Sequence, residues 1–172
     1  MRLTIDYVLW ESPLGHMMLV AEGDALVGVY FDGQRHQRPI GASWRRHAGS
    51  PLLWRAVTQL AEYFAGTRTR FDLPLAPAGT PFQRAVWQAI AAVPPGRTIT
   101  YAELAANAGR PSSIRAAGAA TGRNPLSVVV PCHRIVGADG SLTGYAGGLD
   151  RKRALLTLEQ PVTAATPLRQ AA

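Results

Sequence analysis

The sequence predicts an α/β (α+β) chain in two parts: a small antiparallel sheet with one helix, then a helical half containing a helix-turn-helix. Three observations predict it. Short β-rich runs separated by turn residues fill the opening stretch, which is the pattern of a meander. From Thr80 onward the apolar residues recur at helical spacing instead. Between the two lies Ala76-Pro77-Ala78-Gly79, which has the composition of a linker. At 172 residues the chain can bury its own core, since a domain of roughly 150 residues already hides about two-thirds of its unfolded surface.

Taken in order, Tyr7–Trp10 and His16–Ala21 flank Ser12-Pro13-Leu14-Gly15, where Pro at the second place and Gly at the fourth are turn chemistry. Leu26–Phe31 is a third strand ending at Asp32-Gly33. Residues 34–50 hold four arginines, lack periodicity and read as a loop. Ser50-Pro51 opens a helix as N-cap and first-turn proline. Leu53, Val57, Leu60, Ala61 and Phe64 mark its apolar face, and Gly66 closes it. Phe71–Leu75 reads as an edge strand, where Pro74 is tolerated. Thr80-Pro81 begins a second helix, with Phe82, Val86, Ile90 and Val93 on one side and Pro94-Pro95-Gly96 as its stop. Thr100-Tyr101-Ala102-Glu103 is a capping box for a third helix reaching about Asn107. Ser113 caps a fourth over Ile114–Thr121. These two short helices, joined by residues that include Gly109, outline the helix-turn-helix. Val128–Val130 reads as a buried strand and the tail after Gln160 as flexible. The expected division is residues 1–79, residues 80–160 and a tail at 161–172.

Composition narrows the class. The chain is 47% hydrophobic and 17% charged, which is globular, and no apolar run is long enough to span a membrane. Met1–Asp6 has an early acid and no apolar run behind Arg2, so it is not a signal peptide, and a cytoplasmic location is expected. A single cysteine excludes an internal disulfide and a multi-cysteine metal site. No metal and no cofactor are expected. The net charge of +7 is uneven: residues 1–79 hold eight arginines against seven acids, while residues 80–172 hold nine arginines and one lysine against four acids. A basic second half points to a polyanion partner. Neither His16, His36 nor His47 falls in a pattern, and all three read as surface residues.

The fourth helix carries one long polar side chain, Arg115, on a run of Ala and Gly. Small residues suit tight core packing, but in the basic half they also suit close approach to DNA. A major-groove reader would present several polar side chains to base edges. This helix suits backbone contact or minor-groove insertion, with Arg115 as a wedge.

Pro131-Cys132-His133-Arg134 follows the valine run. A lone cysteine can be an inert core residue. Here adjacent His and Arg would favour the thiolate, and the proline puts Cys132 where a strand leaves its sheet, so a nucleophile is the sharper reading.

That tetrapeptide, with Ile135-Val136-Gly137 and Gly144-Tyr145-Ala146-Gly147-Gly148-Leu149 after it, resembles the O6-alkylguanine-DNA alkyltransferase family. The likeness extends through Tyr101–Ala105, Arg115–Gly118, Asn124-Pro125, Lys152–Leu156 and Glu159, covering about Thr80 to Glu159. It implies a ribonuclease-H-like first half and direct reversal of alkylation damage. The alkyl group would move from guanine O6, and less readily from O4-alkylthymine, to Cys132 and remain there. By the same resemblance His133 takes the thiol proton through a water, Glu159 orients the imidazole, and Tyr101 supplies a proton or hydrogen bond to the leaving purine. Tyr145, Ala146, Gly147, Asn124, Val136 and Lys152 would surround the substrate pocket. Arg115, Thr100, Ala116, Ala117, Gly118, Ala119, Arg123 and Arg134 would meet double-stranded DNA, with Arg115 filling the gap left by an extruded nucleotide. A monomer is expected, with cooperative assembly on DNA left open. Rival readings are a damage sensor that flips the base without accepting the group, a helix-turn-helix regulator with a redox cysteine, and a cysteine hydrolase. The sensor would lack Cys132.

Overall fold

The computed structural model describes residues 4–161. Its first half is a four-stranded sheet in the order β3-β2-β1-β4, formed by β1 (Ile5–Ser12), β2 (Gly15–Glu22), β3 (Ala25–Phe31) and β4 (Arg45–Arg46). The strands β1, β2 and β3 are antiparallel neighbours; β4 lies parallel to β1. At the first hairpin the Ser12 hydroxyl donates to the Gly15 carbonyl at 2.7 Å, and Gly15 has φ +106°, a backbone open to glycine. The loop expected over 34–50 therefore contains one short strand. Its two residues pair with Asp6 and Tyr7, too few for any period to show in sequence.

Helix α1 (Pro51–Phe64) covers one face of the sheet, its first turn capped by the Ser50 hydroxyl. Leu53, Val57 and Leu60 join the core with Met17, Leu19, Val29 and Phe31. Ala61, expected on this face, is exposed; Ala56, Gln59 and Tyr63 are buried instead. Gln59 is accommodated because it exchanges two hydrogen bonds with the Asp72 backbone, at 2.8 and 3.0 Å. The opposite face of the sheet buries Met18, Val20, Val27 and Tyr30 under Ile5, Tyr7 and Trp44. With both faces covered, β2 is apolar without alternation. The edge strand expected at Phe71–Leu75 reduces to a single bridge, Leu75 to Leu26.

The second half contains α2 (Pro81–Ala91), β5 (Ile99–Thr100), α3 (Tyr101–Asn107), α4 (Ile114–Gly122), a 3-10 turn at Cys132–Arg134, β6 (Ile135–Val136) and α5 (Leu149–Leu158). Thr80 with Gln83 and Thr100 with Glu103 both form capping boxes. Ser113 gives α4 no side-chain cap. Helices α2, α3 and α4 meet around Val86, Ile90, Leu104, Ala105, Ala117 and Ala120, and the Trp87 indole donates to the Ala120 carbonyl at 2.8 Å. No strand forms at Val128–Val130. Val128 has φ +71°, and the segment folds back through Val130 N–H to Leu126 O and Cys132 N–H to Val130 O, both 2.8 Å. An apolar run this short does not by itself separate strand from buried coil. Helix α5 had no sequence assignment.

The halves share one apolar core. The free edge of β3 is occupied by the second half: Val29 N–H donates to Pro125 O at 2.8 Å, and Ser127 N–H to Val29 O at 2.9 Å. Among the described residues no helix is long and apolar enough to cross a membrane. Residues 162–172 of the expected tail lie outside the described residues.

Candidate active site

Cys132 opens the 3-10 turn that follows the folded-back valine segment. Asn124 holds that segment. Its Nδ2 donates to Val130 O at 2.8 Å and to Cys132 Sγ at 3.2 Å, while its Oδ1 accepts from Leu126 N–H at 3.0 Å. The thiol is 4% exposed and lines a cavity of about 490 Å³, within the range that takes a small organic ligand. Burial pushes the thiol pKa up, against the opposing pulls of the Asn124 donor and the Lys152 charge. The expectation that His133 and Arg134 favour the thiolate is therefore corrected. His133 is itself pushed toward its neutral form by burial, and Arg134 points elsewhere. Both shifts favour the uncharged forms, thiol and imidazole.

Behind it lies a buried polar hub. His133 has no exposed side-chain surface, and its Nε2 lies 2.8 Å from Glu159 Oε1. A carboxylate only accepts, so Nε2–H donates and the lone pair is left on Nδ1. Nδ1 has no hydrogen-bond partner among the described residues. Glu159 also accepts from Arg134 Nε at 2.9 Å, from Arg134 Nη2 at 2.7 Å and from the Tyr63 hydroxyl at 2.8 Å. Burial alone would raise its pKa, yet the donors from His133 and Arg134 outweigh it and hold the carboxyl at about 2. Arg134 also donates to Val93 O. Expected among the DNA contacts, it is buried and committed to this hub instead. Tyr63 was absent from the sequence-based site. Its place one turn from Leu60 was a signal, because a phenol on a core face needs a partner.

Tyr101, on the first turn of α3, lines the cavity and donates to Thr143 O at 3.1 Å; burial raises its pKa, so the hydroxyl keeps its proton. Gly144, Tyr145, Ala146 and Gly148 form a strap along another wall. The Tyr145 hydroxyl is buried without a partner among the described residues. Gly147 lies beneath the strap, where a Cβ would come within 2.9 Å of the Tyr145 ring and 3.0 Å of Phe31. Lys152 fixes the strap from below. Its fully buried ammonium donates to the carbonyls of Ile135, Thr143 and Gly144, the last two at 3.0 and 3.3 Å. Lys152, Asn124, Gly147 and the buried Val136 thus support the cavity without lining it.

On α4, Arg115, Ala116 and Ala119 are exposed and Gly118 is half-buried against the cavity. Ala117 is fully buried in the core, which removes it from the expected DNA face. Arg123 is exposed beside the cavity. The Thr100 hydroxyl is engaged with Glu103 at 2.8 Å. The first half also reaches the cavity, through Arg35 and His36. His36, read as a plain surface residue, is exposed but stands on this rim. Nothing in the unpatterned loop signalled either.

Two family profiles match the chain: "6-O-methylguanine DNA methyltransferase, ribonuclease-like domain" over residues 5–77 and "6-O-methylguanine DNA methyltransferase, DNA binding domain" over residues 81–161. A methylated-DNA–protein-cysteine methyltransferase of Methanosarcina acetivorans is 44% identical over 153 residues, 89% of this chain and 97% of that protein. One of Mycobacterium tuberculosis is 44% identical over 156 residues, 91% and 93% of the two chains. The chain is also similar to the crystal structure of Mycobacterium tuberculosis OGT in complex with DNA, with a TM-score of 0.83 and 42% identity over 90% of this chain and 92% of that one.

Proposed function

Since the chain belongs to the 6-O-methylguanine DNA methyltransferase family, we propose that its repair activity, moving a methyl group from DNA to a protein cysteine, is a single-turnover transfer from O6-alkylguanine to Cys132. The observation that carries this is one thiol at the wall of an open cavity and, next to it in the chain, a histidine oriented by Glu159.

The target atom lies inside the duplex stack, so the nucleotide is extruded through the minor groove before reaction. Arg115 fills the gap while the small residues Ala116 and Ala119 allow α4 to lie close to the backbone. In the cavity the thiol proton passes through a water to His133 Nδ1, the lone pair that Glu159 leaves free. The sulfur then attacks the alkyl carbon in line; the S–C bond forms as the C–O6 bond breaks, and its electron pair stays on the purine oxygen. Tyr101 stabilises that oxygen's ring by hydrogen bonding, and the proton given up by the thiol ends on the base. The orphan hydroxyl of Tyr145 finds its partner in the bound purine. The product is a thioether with no leaving group, so each chain acts once. O4-alkylthymine carries the same alkyl–oxygen unit on a smaller ring that fills the cavity less well, and is the weaker substrate. One chain contains the whole site and acts as a monomer in the reducing cytoplasm, where a free thiol survives. In this scheme residues 80–160 perform the chemistry and make most of the DNA contacts, and residues 1–79 pack against them.

The test is intact-mass measurement after incubation with a duplex bearing one O6-methylguanine. One methyl replacing one hydrogen per chain, on the peptide containing Cys132, is expected; transfer to another residue, or several per chain, would overturn it. Arg115→Ala should slow repair of the duplex about tenfold more than reaction with free O6-benzylguanine, equivalent to about 1.4 kcal/mol of barrier. Equal losses on the two substrates would remove its wedge role.

A further inference from the structure

On the rim of the Cys132 cavity, Arg35 is held by a built turn. Gln34 is buried, and its Oε1 accepts from Phe31 N–H at 2.8 Å and from the Ser127 hydroxyl at 2.9 Å. Gln37 Oε1 accepts from Gly33 N–H at 3.1 Å. Arg35 N–H donates to Ala146 O at 3.0 Å, which ties the turn to the strap over the cavity. His36 has φ +62°, a left-handed backbone that residues with a Cβ seldom adopt. A turn kept in this shape against local preference is over-determined by its surroundings.

The guanidinium it presents is exposed, and no carboxylate pairs with it among the described residues. Arg123, from the second half, is likewise exposed and without an ion pair there, and it lines the same cavity. Two unpaired guanidinium groups from opposite halves thus border a cavity that ends in a thiol. A planar fork of donors at a solvent-open mouth suits a phosphate, which it can bind bidentately.

We infer that Arg35 contacts a backbone phosphate beside the extruded nucleotide, so that the DNA footprint includes the first half of the chain. The inference rests on the transfer to Cys132 proposed above. It makes Arg35 a binding residue for nucleotides carried in DNA, with little part in binding a free base.

Arg35→Ala and Arg35→Lys are compared with the unaltered chain, using a fluorescein-labelled duplex bearing one O6-methylguanine and free O6-benzylguanine. Methyl uptake by the unaltered chain is measured first; its failure would sink the proposed activity rather than this inference. With that activity in place, Arg35→Ala should lower the duplex rate about tenfold relative to the free-base rate. It should also reduce the slope of log affinity against log salt by about one, the release from a single phosphate contact. Arg35→Lys should restore most of both, since the charge remains. An unchanged salt slope, or equal loss on duplex and free base with no rescue by lysine, would show that the turn only braces the strap and would overturn the inference.

Discussion

Cys132→Ala is expected to reduce alkyl uptake to background while the variant still binds duplex DNA. The substitution removes the sulfur that bonds to carbon, and no second cysteine exists to replace it. Little else should move. Asn124 loses its contact with Sγ but keeps Val130 O and Leu126 N–H, so the folded-back segment retains its ties. The exposed side of α4 is not altered. Intact mass after incubation with methylated duplex reads the first effect, and anisotropy of a labelled duplex reads the second. Residual transfer to another residue would break the assignment of Cys132. Joint loss of binding would show that chemistry and DNA contact are not separable.

Glu159→Gln should slow uptake by about 10²–10³-fold, within the span that a positioned proton acceptor contributes. The amide cannot serve as a carboxylate acceptor for His133, Arg134 and Tyr63 together, so the free lone pair of His133 is no longer fixed. Stability should fall by about 3–5 kcal/mol as well, because Arg134 becomes an uncompensated buried charge. The pH dependence has a definite sign. Glu159 titrates at about 2 in the fold against an ordinary 4.5, so its contribution is complete above about 4.5 and is lost as the pH falls toward 2. Denaturant titrations at stepped pH should show the two proteins far apart at neutrality and converging in acid. Parallel curves would mean that the carboxylate does not hold the hub. A stable variant with full uptake would remove Glu159 from the mechanism.

Much of this was legible in the residues. Ser50-Pro51, the Thr100–Glu103 box and the Ser12–Gly15 turn are local signals, each completed within four residues, and each forms as read. Cys132, singled out by its neighbours, lies on the cavity wall, but His133 and Arg134 turn to Glu159 and not to the sulfur. What stayed hidden depends on where long polar side chains go across the fold. Arg134 looks in sequence like a cation for DNA, yet it turns inward to Glu159, 25 residues away. Tyr63 meets the same carboxylate across 96 residues. Ala117 shares its small size with the exposed Ala116 and Ala119, and only the angle at which α4 docks decides which of them is buried. Val128–Val130 has the right composition for a strand but no strand to pair with, because its backbone partners lie within the segment itself.

Lys152 carries the chain's sole ε-amine, and that amine is sequestered beneath three carbonyls. Every other side-chain cation that does not depend on histidine is an arginine. Acylating dyes, carbodiimide coupling to carboxylated beads and lysine cross-linkers therefore have no side-chain target on the native surface. Modification at position 152 becomes a timer for opening of the strap, a clean label-based readout that a lysine-rich surface would drown.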